Sequence, residues 1–149
     1  MLQDGLMFYI KTTETCNLNC AHCFTSGKNG RKIYFDPAKV ASWVNQIKEY
    51  KPQSTAHFEY HGGEPFLAPI EDMWKFYELT KDVWPGATYG VTTNLVHKLT
   101  EEKLEFMDKV LNKRIGTSWD PKIRFENSKQ LELFESNIRT LLDRGYQIK

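Results

Sequence analysis

The residues with the most distinctive chemistry are the three cysteines of the chain, which all fall in the segment Cys16-Asn-Leu-Asn-Cys20-Ala-His-Cys23. Iron–sulfur clusters are held by cysteine thiolates, and three thiolates on one loop can bind three corners of a cubane cluster. The fourth iron then keeps an open coordination position, which is typical of a catalytic metal site. The spacing therefore indicates a cluster-binding loop.

The cysteines also allow a simpler interpretation. A structural zinc ion could use the three thiolates together with His22, His57 or His61 as its fourth ligand. Zinc motifs usually pair two short ligand hairpins, however, and the sequence contains only one such hairpin. The odd cysteine count and the tight spacing argue against a disulfide framework and favour a reducing compartment, so we expect a cytoplasmic protein.

The elements that must position this loop alternate between strand and helix patterns. Strands are predicted over 6–13, 56–61, 88–94 and 114–119, with the start of a fifth over 146–149. Helices are predicted to begin at Asp36-Pro37, to span 70–83, and to begin at Thr100 and at Asn127 or Ser128, the last ending at Gly145. The buried stripe of the first helix is predicted to be Val40, Trp43, Val44 and Ile47, and that of the last helix Leu131, Phe134, Ile138, Leu141 and Leu142.

This order of elements predicts an α/β fold with a parallel sheet and helices outside it. No linker or change of composition divides the chain, so we expect residues 1–149 to form a single domain. A complete eight-fold barrel takes roughly 250 residues, so the chain would form a partial (β/α) barrel. Its last strand would leave an open parallel edge, and we expect a C-terminal segment, a partner chain or a second copy to complete it.

Segments with unusual residues follow each of the predicted strands, at the positions where the sites of such folds form. They are the cysteine loop, Gly62-Gly63-Glu64-Pro65, Thr92-Thr93-Asn94 and Ser118-Trp119-Asp120. Because the carboxyl ends of parallel strands meet at one rim, these segments are predicted to build one site.

The cysteine spacing and the Gly-Gly-Glu-Pro segment together resemble the radical S-adenosylmethionine (radical SAM) superfamily. The phrases Thr-Glu-Thr-Cys-Asn-Leu-Asn-Cys, His-Gly-Gly-Glu-Pro and Ser-Trp-Asp are most similar to peptide- and protein-modifying members, such as the anaerobic sulfatase-maturing enzymes and the ribosomal-peptide maturases. The resemblance covers nearly the whole chain. It implies a partial barrel of the radical SAM type, truncated or split relative to the six-stranded core of the family.

The resemblance also implies an activity. A 4Fe-4S cluster would cleave S-adenosylmethionine (SAM) reductively, and the resulting 5'-deoxyadenosyl radical would abstract hydrogen from a peptide or protein. The electron would come from a donor such as flavodoxin or ferredoxin. Two alternatives stay open: a radical SAM enzyme that acts on a small molecule or nucleotide, and a non-catalytic iron–sulfur binding module or split subunit that needs a partner.

The resemblance assigns roles to particular residues. Cys16, Cys20 and Cys23 would be the metal ligands, and Glu64 would pair with the SAM ammonium beside the close backbone approach of Gly62 and Gly63. The other implied cofactor-binding residues are His22 on the adenine or cluster, Ser118 and Asp120 on the ribose or methionine, Thr92 and Asn94, and Arg124 on the SAM carboxylate. Glu59, on the predicted inward face of the second strand, would contact the substrate.

Charge and composition limit the partners. The net charge is +1, from 20 basic and 19 acidic residues, which gives no electrostatic footprint for nucleic acid. No apolar run reaches the roughly 18 residues of a membrane span. The start of the chain lacks the basic and apolar regions of a signal peptide. No cysteines are left for auxiliary clusters, which many peptide-modifying members of the superfamily carry in a C-terminal extension.

Overall fold

A computed structural model of the chain describes residues 5–18, 32–120 and 124–149. The strands are β1 (Gly5–Thr13), β2 (Thr55–Gly62), β3 (Thr88–Val91), β4 (Arg114–Ile115) and β5 (Gln147–Ile148). The helices are α1 (Pro37–Tyr50), α2 (Ile70–Thr80), α3 (Glu101–Lys109) and α4 (Ser128–Asp143), and a short 3-10 helix spans Pro65–Leu67. Strand and helix alternate in the predicted order.

The strands are parallel and follow one another in chain order. β1 pairs with β2 and β2 with β3, while β4 pairs with β5. A parallel bridge between Thr92 and Gly116 joins the two groups, with the N–H of Gly116 donating to the carbonyl of Val91 at 2.8 Å. The predicted α/β class with a parallel sheet is confirmed.

The two faces of the sheet differ in chemistry, and β2 shows the difference best. Phe58 and Tyr60 are completely buried on one face, where the helices pack. The ring of Phe76 in α2 lies 5.3 Å from that of Phe58, and the hydroxyl of Tyr60 donates to the carbonyl of Met73 at 2.8 Å. The alternate residues of β2 point to the opposite face, which is polar and more accessible.

The helix ends follow the capping signals of the sequence. Asp36 accepts the N–H groups of Ala38 and Lys39, so α1 begins with Pro37 in its first turn. Thr100 and Asn127 cap α3 and α4 in the same way. Gly145 ends α4 with a φ of +85°, the left-handed conformation that glycine adopts readily.

Two predicted strands are shorter than expected, and parts of two helix stripes are wrong. β3 stops at Val91 and β4 at Ile115, because their backbone pairing ends there. On α1 the buried residues are Pro37, Ala41 and Val44, while Trp43 and Ile47 are exposed. Leu142 of α4 is also exposed.

The helices that the structure describes are of moderate length, and the longest of them, α4, has 16 residues. None of these described helices combines the length and the apolar character that crossing a membrane requires.

Candidate cofactor site at the carboxyl ends of the strands

Cys16 lies half-buried just after β1, at the rim where the parallel strands end. Its Sγ accepts the backbone N–H of Leu18 at 3.4 Å and the side-chain N–H of Asn94 at 3.5 Å. Ligating cysteine sulfurs commonly accept N–H groups in this way, and the Sγ also lies 3.9 Å from Oδ1 of Asn17. The environment of Cys16 therefore fits a cluster ligand.

The other residues of the predicted ligand loop, Cys20 and Cys23, lie outside the described residues, as does His22. Within 5–18, 32–120 and 124–149, no three metal-binding side chains group together. The roles of these residues stay predictions.

Gly62 and Gly63, at the end of β2, pack against the segment that leads from β1 into the cysteine loop. The N–H of Gly63 donates to the carbonyl of Thr13, and the N–H of Glu64 to that of Thr15, both at 2.9 Å. A Cβ on Gly63 would lie 1.8 Å from the Thr15 carbonyl oxygen, and one on Gly62, where φ is +138°, 2.3 Å from that of Thr13. The glycines thus allow a close approach to the entrance of the ligand loop.

Glu64 has no exposed surface, and its carboxylate points into the protein. It accepts the N–H of Phe66 at 2.9 Å, the N–H of Asn94 at 2.6 Å and the hydroxyl of Thr93 at 2.9 Å. Burial raises the pKa of Glu64, and these hydrogen bonds oppose that rise. The carboxylate thus joins the turns that follow β2 and β3, and the pairing of Glu64 with SAM that the resemblance implies stays a prediction.

A buried histidine that the sequence motifs did not indicate extends this network to α3. Lys103 Nζ lies 3.0 Å from Nδ1 of His97, whose Nε2 lies 3.1 Å from the Thr93 hydroxyl. Burial, and secondly the charge of Lys103, lower the pKa of His97 to about 4. At neutral pH the imidazole is therefore uncharged, and we assign its proton to Nε2, since Nδ1 accepts from the ammonium.

Thr92 and Asn94, predicted to share one strand face, are brought to different places because β3 ends at Val91. Thr92 donates to Oε1 of Glu59 at 3.1 Å. Asn94 is buried and its Nδ2 donates to Oδ1 of Asn17 at 2.6 Å as well as to Cys16. Asn94 is therefore a neighbour of the predicted ligand Cys16, and Thr92 a neighbour of the open face.

Leu95 turns the chain after Asn94. Its φ is +57°, the left-handed region that glycine usually occupies, and its side chain is completely buried. The structure keeps the turn with a leucine, whose carbonyl accepts the amide N–H of Asn137 at 2.9 Å.

The face of the sheet opposite the helices carries a hydrogen-bonded polar group. Nδ1 of His57 lies 2.7 Å from the Thr88 hydroxyl, and its Nε2 lies 2.8 Å from Oε2 of Glu59. Gly90 leaves room for them, since a Cβ there would lie 2.2 Å from Oε2 of Glu59. A cavity of about 550 Å³ opens on this face, lined among others by Tyr9, His57, Glu59, Thr92, Arg114 and Lys149.

The remaining predicted site residues lie past the short β4. Ser118 is exposed and Asp120 half-buried in irregular chain, so the prediction that a strand holds them on one face is wrong. Arg124 is buried, and its backbone N–H donates to the carbonyl of Asp120 at 3.1 Å. Their contribution to cofactor binding stays a prediction.

Comparisons with known proteins identify the family. The model of the Radical SAM superfamily matches residues 10–120, so the chain belongs to the radical SAM superfamily. The uncharacterized protein MJ0907 of Methanocaldococcus jannaschii is 31% identical over 125 residues, which cover 78% of this chain and 40% of that protein.

Solved structures share the fold. Native anSMEcpe with bound AdoMet and Cp18Cys peptide superposes with a TM-score of 0.76 at 22% identity, over 97% of this chain and 42% of that one. SuiB of Streptococcus suis bound to its precursor peptide SuiA gives 0.61 at 18% identity, over 99% and 33%. BtrN in complex with AdoMet and 2-DOIA gives 0.56 at 18% identity, over 85% and 49%. The chain thus spans less than half the length of these relatives.

Proposed function

We propose that this chain is a radical SAM enzyme, or the N-terminal part of one, that acts on a peptide or protein. The observation that carries the proposal is the environment of Cys16. Its sulfur, half-buried at the rim of the sheet, receives N–H donors from Leu18 and Asn94. Membership of the superfamily supplies the context in which a thiolate at this position binds iron.

Cys16, Cys20 and Cys23 would hold three irons of a 4Fe-4S cluster and leave the fourth for SAM. When bound, the cluster supplies the electron for the reductive cleavage of SAM, and this cleavage in turn allows hydrogen to be abstracted from the substrate. The protein supplies the position of the loop. Gly63 and Glu64 hydrogen-bond its entrance to β2, and Asn94 contacts Cys16 from the turn after β3.

The cavity on the open face is the proposed substrate site. It is about 550 Å³ in volume and lies on the side of the sheet away from the described helices. Glu59 is held there by His57 and Thr92, so its oxygens are oriented before a substrate arrives. Peptide-bound anSMEcpe and SuiB support a peptide or protein as the ligand, while 2-DOIA-bound BtrN supports the alternative of a small molecule.

Residues 1–149 would form the core, and further polypeptide is proposed to cover its open face. Tyr9 and Met7 project from β1 with 65% and 55% of their surface exposed. A radical reaction requires the exclusion of water, which an open sheet face does not provide. The cover would be a C-terminal segment or a partner chain. A flavodoxin or ferredoxin in the cytoplasm would supply the electron.

The test is an anaerobic cleavage assay. The chain would be reconstituted with iron and sulfide, reduced with dithionite and mixed with SAM, and the release of 5'-deoxyadenosine would be measured. Cys16→Ala, Cys20→Ala and Cys23→Ala are each expected to abolish the release. Thr80→Val is the matched control, because it removes a buried hydroxyl on the helix side of the sheet.

The possible outcomes of this assay distinguish the proposed enzyme from the zinc-binding and non-catalytic alternatives. Release by the wild type and by Thr80→Val, without release by the cysteine variants, supports the proposal. A colourless chain that holds stoichiometric zinc contradicts it. A chain that holds the cluster but releases no 5'-deoxyadenosine, even with excess peptide and reductant, favours the alternative of a non-catalytic iron–sulfur module or split subunit.

A further inference from the structure

The side-chain amide of Asn94 stands between the sheet and the predicted ligand Cys16. Its Nδ2 lies 3.5 Å from Sγ of Cys16 and 2.6 Å from Oδ1 of Asn17. Asn17 in turn donates to the carbonyl of Val96. Two successive residues of the ligand loop, Cys16 and Asn17, are therefore bound to the turn that follows β3.

The orientation of the Asn94 amide is fixed by the hydrogen bond that its carbonyl oxygen accepts. Oδ1 of Asn94 accepts the N–H of Val96 at 2.8 Å. An acceptor is required at that position, because a backbone N–H faces it, so the donating NH₂ group must face Asn17 and Cys16. Asn94 thus presents a donor, and not an acceptor, to the sulfur.

The backbone that carries Asn94 is held just as firmly. Its N–H donates to Oε1 of Glu64 at 2.6 Å, and Glu64 has no exposed surface. The neighbouring Thr93 donates its hydroxyl to the same carboxylate at 2.9 Å. A buried ionisable side chain thus fixes the turn, and the turn directs one side-chain N–H group of Asn94 at Cys16.

We propose that Asn94 is a positioning residue for the cluster, which it tunes by donating a hydrogen bond to the Cys16 thiolate. This inference rests on the proposed function, since it requires the cluster. A hydrogen bond to a ligating sulfur stabilises the reduced form, in which the sulfur carries more negative charge, and so raises the reduction potential. Leu18 provides a backbone donor to the same sulfur, so the loss of Asn94 should shift the potential rather than remove the ligand.

The test is an EPR-monitored redox titration of the reconstituted full chain. Asn94→Ser keeps a short oxygen that can accept the N–H of Val96 but cannot reach Cys16. We expect its cluster potential to shift to a more negative value. Asn94→Asp keeps the acceptor, loses both donors and adds a charge, so its shift should be larger in the same direction. Thr80→Val, a buried hydrogen-bond deletion away from the loop, should keep the wild-type potential.

The results decide the inference in each case. A wild-type potential in Asn94→Ser, with full iron content, would overturn it. If Asn94→Ser fails to fold by circular dichroism, Asn94→Thr decides by the same criterion, because it also keeps a short acceptor oxygen and adds no charge. An equal shift in Thr80→Val would assign the effect to general destabilisation and overturn the inference as well. A wild-type chain without any cluster would instead contradict the proposed function, and this inference with it.

Discussion

The backbone N–H of Asn94 donates to Oε1 of Glu64 at 2.6 Å, so the glutamate of the Gly-Gly-Glu-Pro segment binds the turn after β3. The segment also binds the chain before Cys16, through the N–H groups of Gly63 and Glu64. One short segment therefore joins the ends of β1, β2 and β3.

Gly63→Ala should detach the entrance of the ligand loop from β2. The added Cβ would lie 1.8 Å from the carbonyl oxygen of Thr15, which is backbone and cannot rotate away. We expect a loss of about 1–3 kcal/mol in the free energy of unfolding, as for other overpacked sites, together with reduced iron binding. Urea denaturation and iron analysis would measure the two effects.

Gly5→Ala is the matched control, because its new Cβ would lie 4.0 Å from the nearest atom, Oγ1 of Thr55. It should stay within about 0.5 kcal/mol of the wild type. Equal effects of Gly5→Ala and Gly63→Ala would contradict the close contact between Gly63 and Thr15.

Glu64→Gln should destabilise the rim although the side chain keeps its size. The carboxylate accepts two backbone N–H groups and one hydroxyl, whereas a glutamine offers one oxygen and two N–H donors. One N–H, of Phe66 or Asn94, then loses its acceptor in the interior, at a cost of about 1–3 kcal/mol. Denaturant unfolding would measure the loss. Glu78→Gln, at an exposed ion pair with Lys81, should change little, and an unchanged Glu64→Gln would show that the carboxylate is not part of the network.

His97 should make stability depend on pH in the acid range. Its pKa is lowered from 6.5 to about 4 by burial and by Lys103, so the unfolded chain binds a proton between these values that the native chain does not. The stabilising effect of the neutral imidazole is complete above pH 6.5 and is lost as the pH falls through 4. The loss amounts to about 3 kcal/mol at most.

His97→Gln should remove this part of the slope of unfolding free energy against pH. Its measurement needs denaturation curves at several pH values between 6.5 and 4. Thr80→Val, which removes a buried hydroxyl that does not titrate in this range, should keep the wild-type slope. The same slope in His97→Gln and the wild type would contradict the burial of a neutral imidazole.

Leu95→Gly separates backbone strain from side-chain packing. The left-handed φ of Leu95 costs roughly 1–2 kcal/mol, which glycine would relieve, but the completely buried side chain would be lost. Burial dominates, since a buried leucine truncated to alanine costs about 3–5 kcal/mol. We expect a net loss of stability no greater than that of Leu111→Ala, a buried leucine without positive φ. A Leu95→Gly chain that melts at a higher temperature than the wild type would contradict the packing of Leu95.

The family and the fold class could be predicted from the sequence because both depend on spacing and order. The cysteine spacing and the Gly-Gly-Glu-Pro segment identified the superfamily, which the match over residues 10–120 confirms. Alternation of strands and helices predicted the parallel sheet. The caps at Asp36 and Thr100 could be predicted as well, and Asn127 was one of two candidates for the start of α4, since capping depends on neighbouring residues only.

The interior contacts could not be predicted, because they join residues far apart in the chain. The donors to Glu64 from Thr93 and Asn94 come from a turn about 30 residues further on, and His97 belongs to no motif. The exposure of Trp43 has a different cause. Ala41 and Val44 face the core, and a small residue such as alanine adds little to an apolar pattern.

Whether the loop beginning at Cys16 binds a four-iron cluster can be tested by measuring iron, sulfide and the EPR spectrum of the anaerobically reconstituted chain. We expect about four irons per chain, a signal from the reduced cluster that changes when SAM is added, and the loss of both in Cys16→Ala. A wild-type chain that takes up zinc in place of iron, or a Cys16→Ala chain with undiminished iron and an unchanged signal, would contradict this expectation.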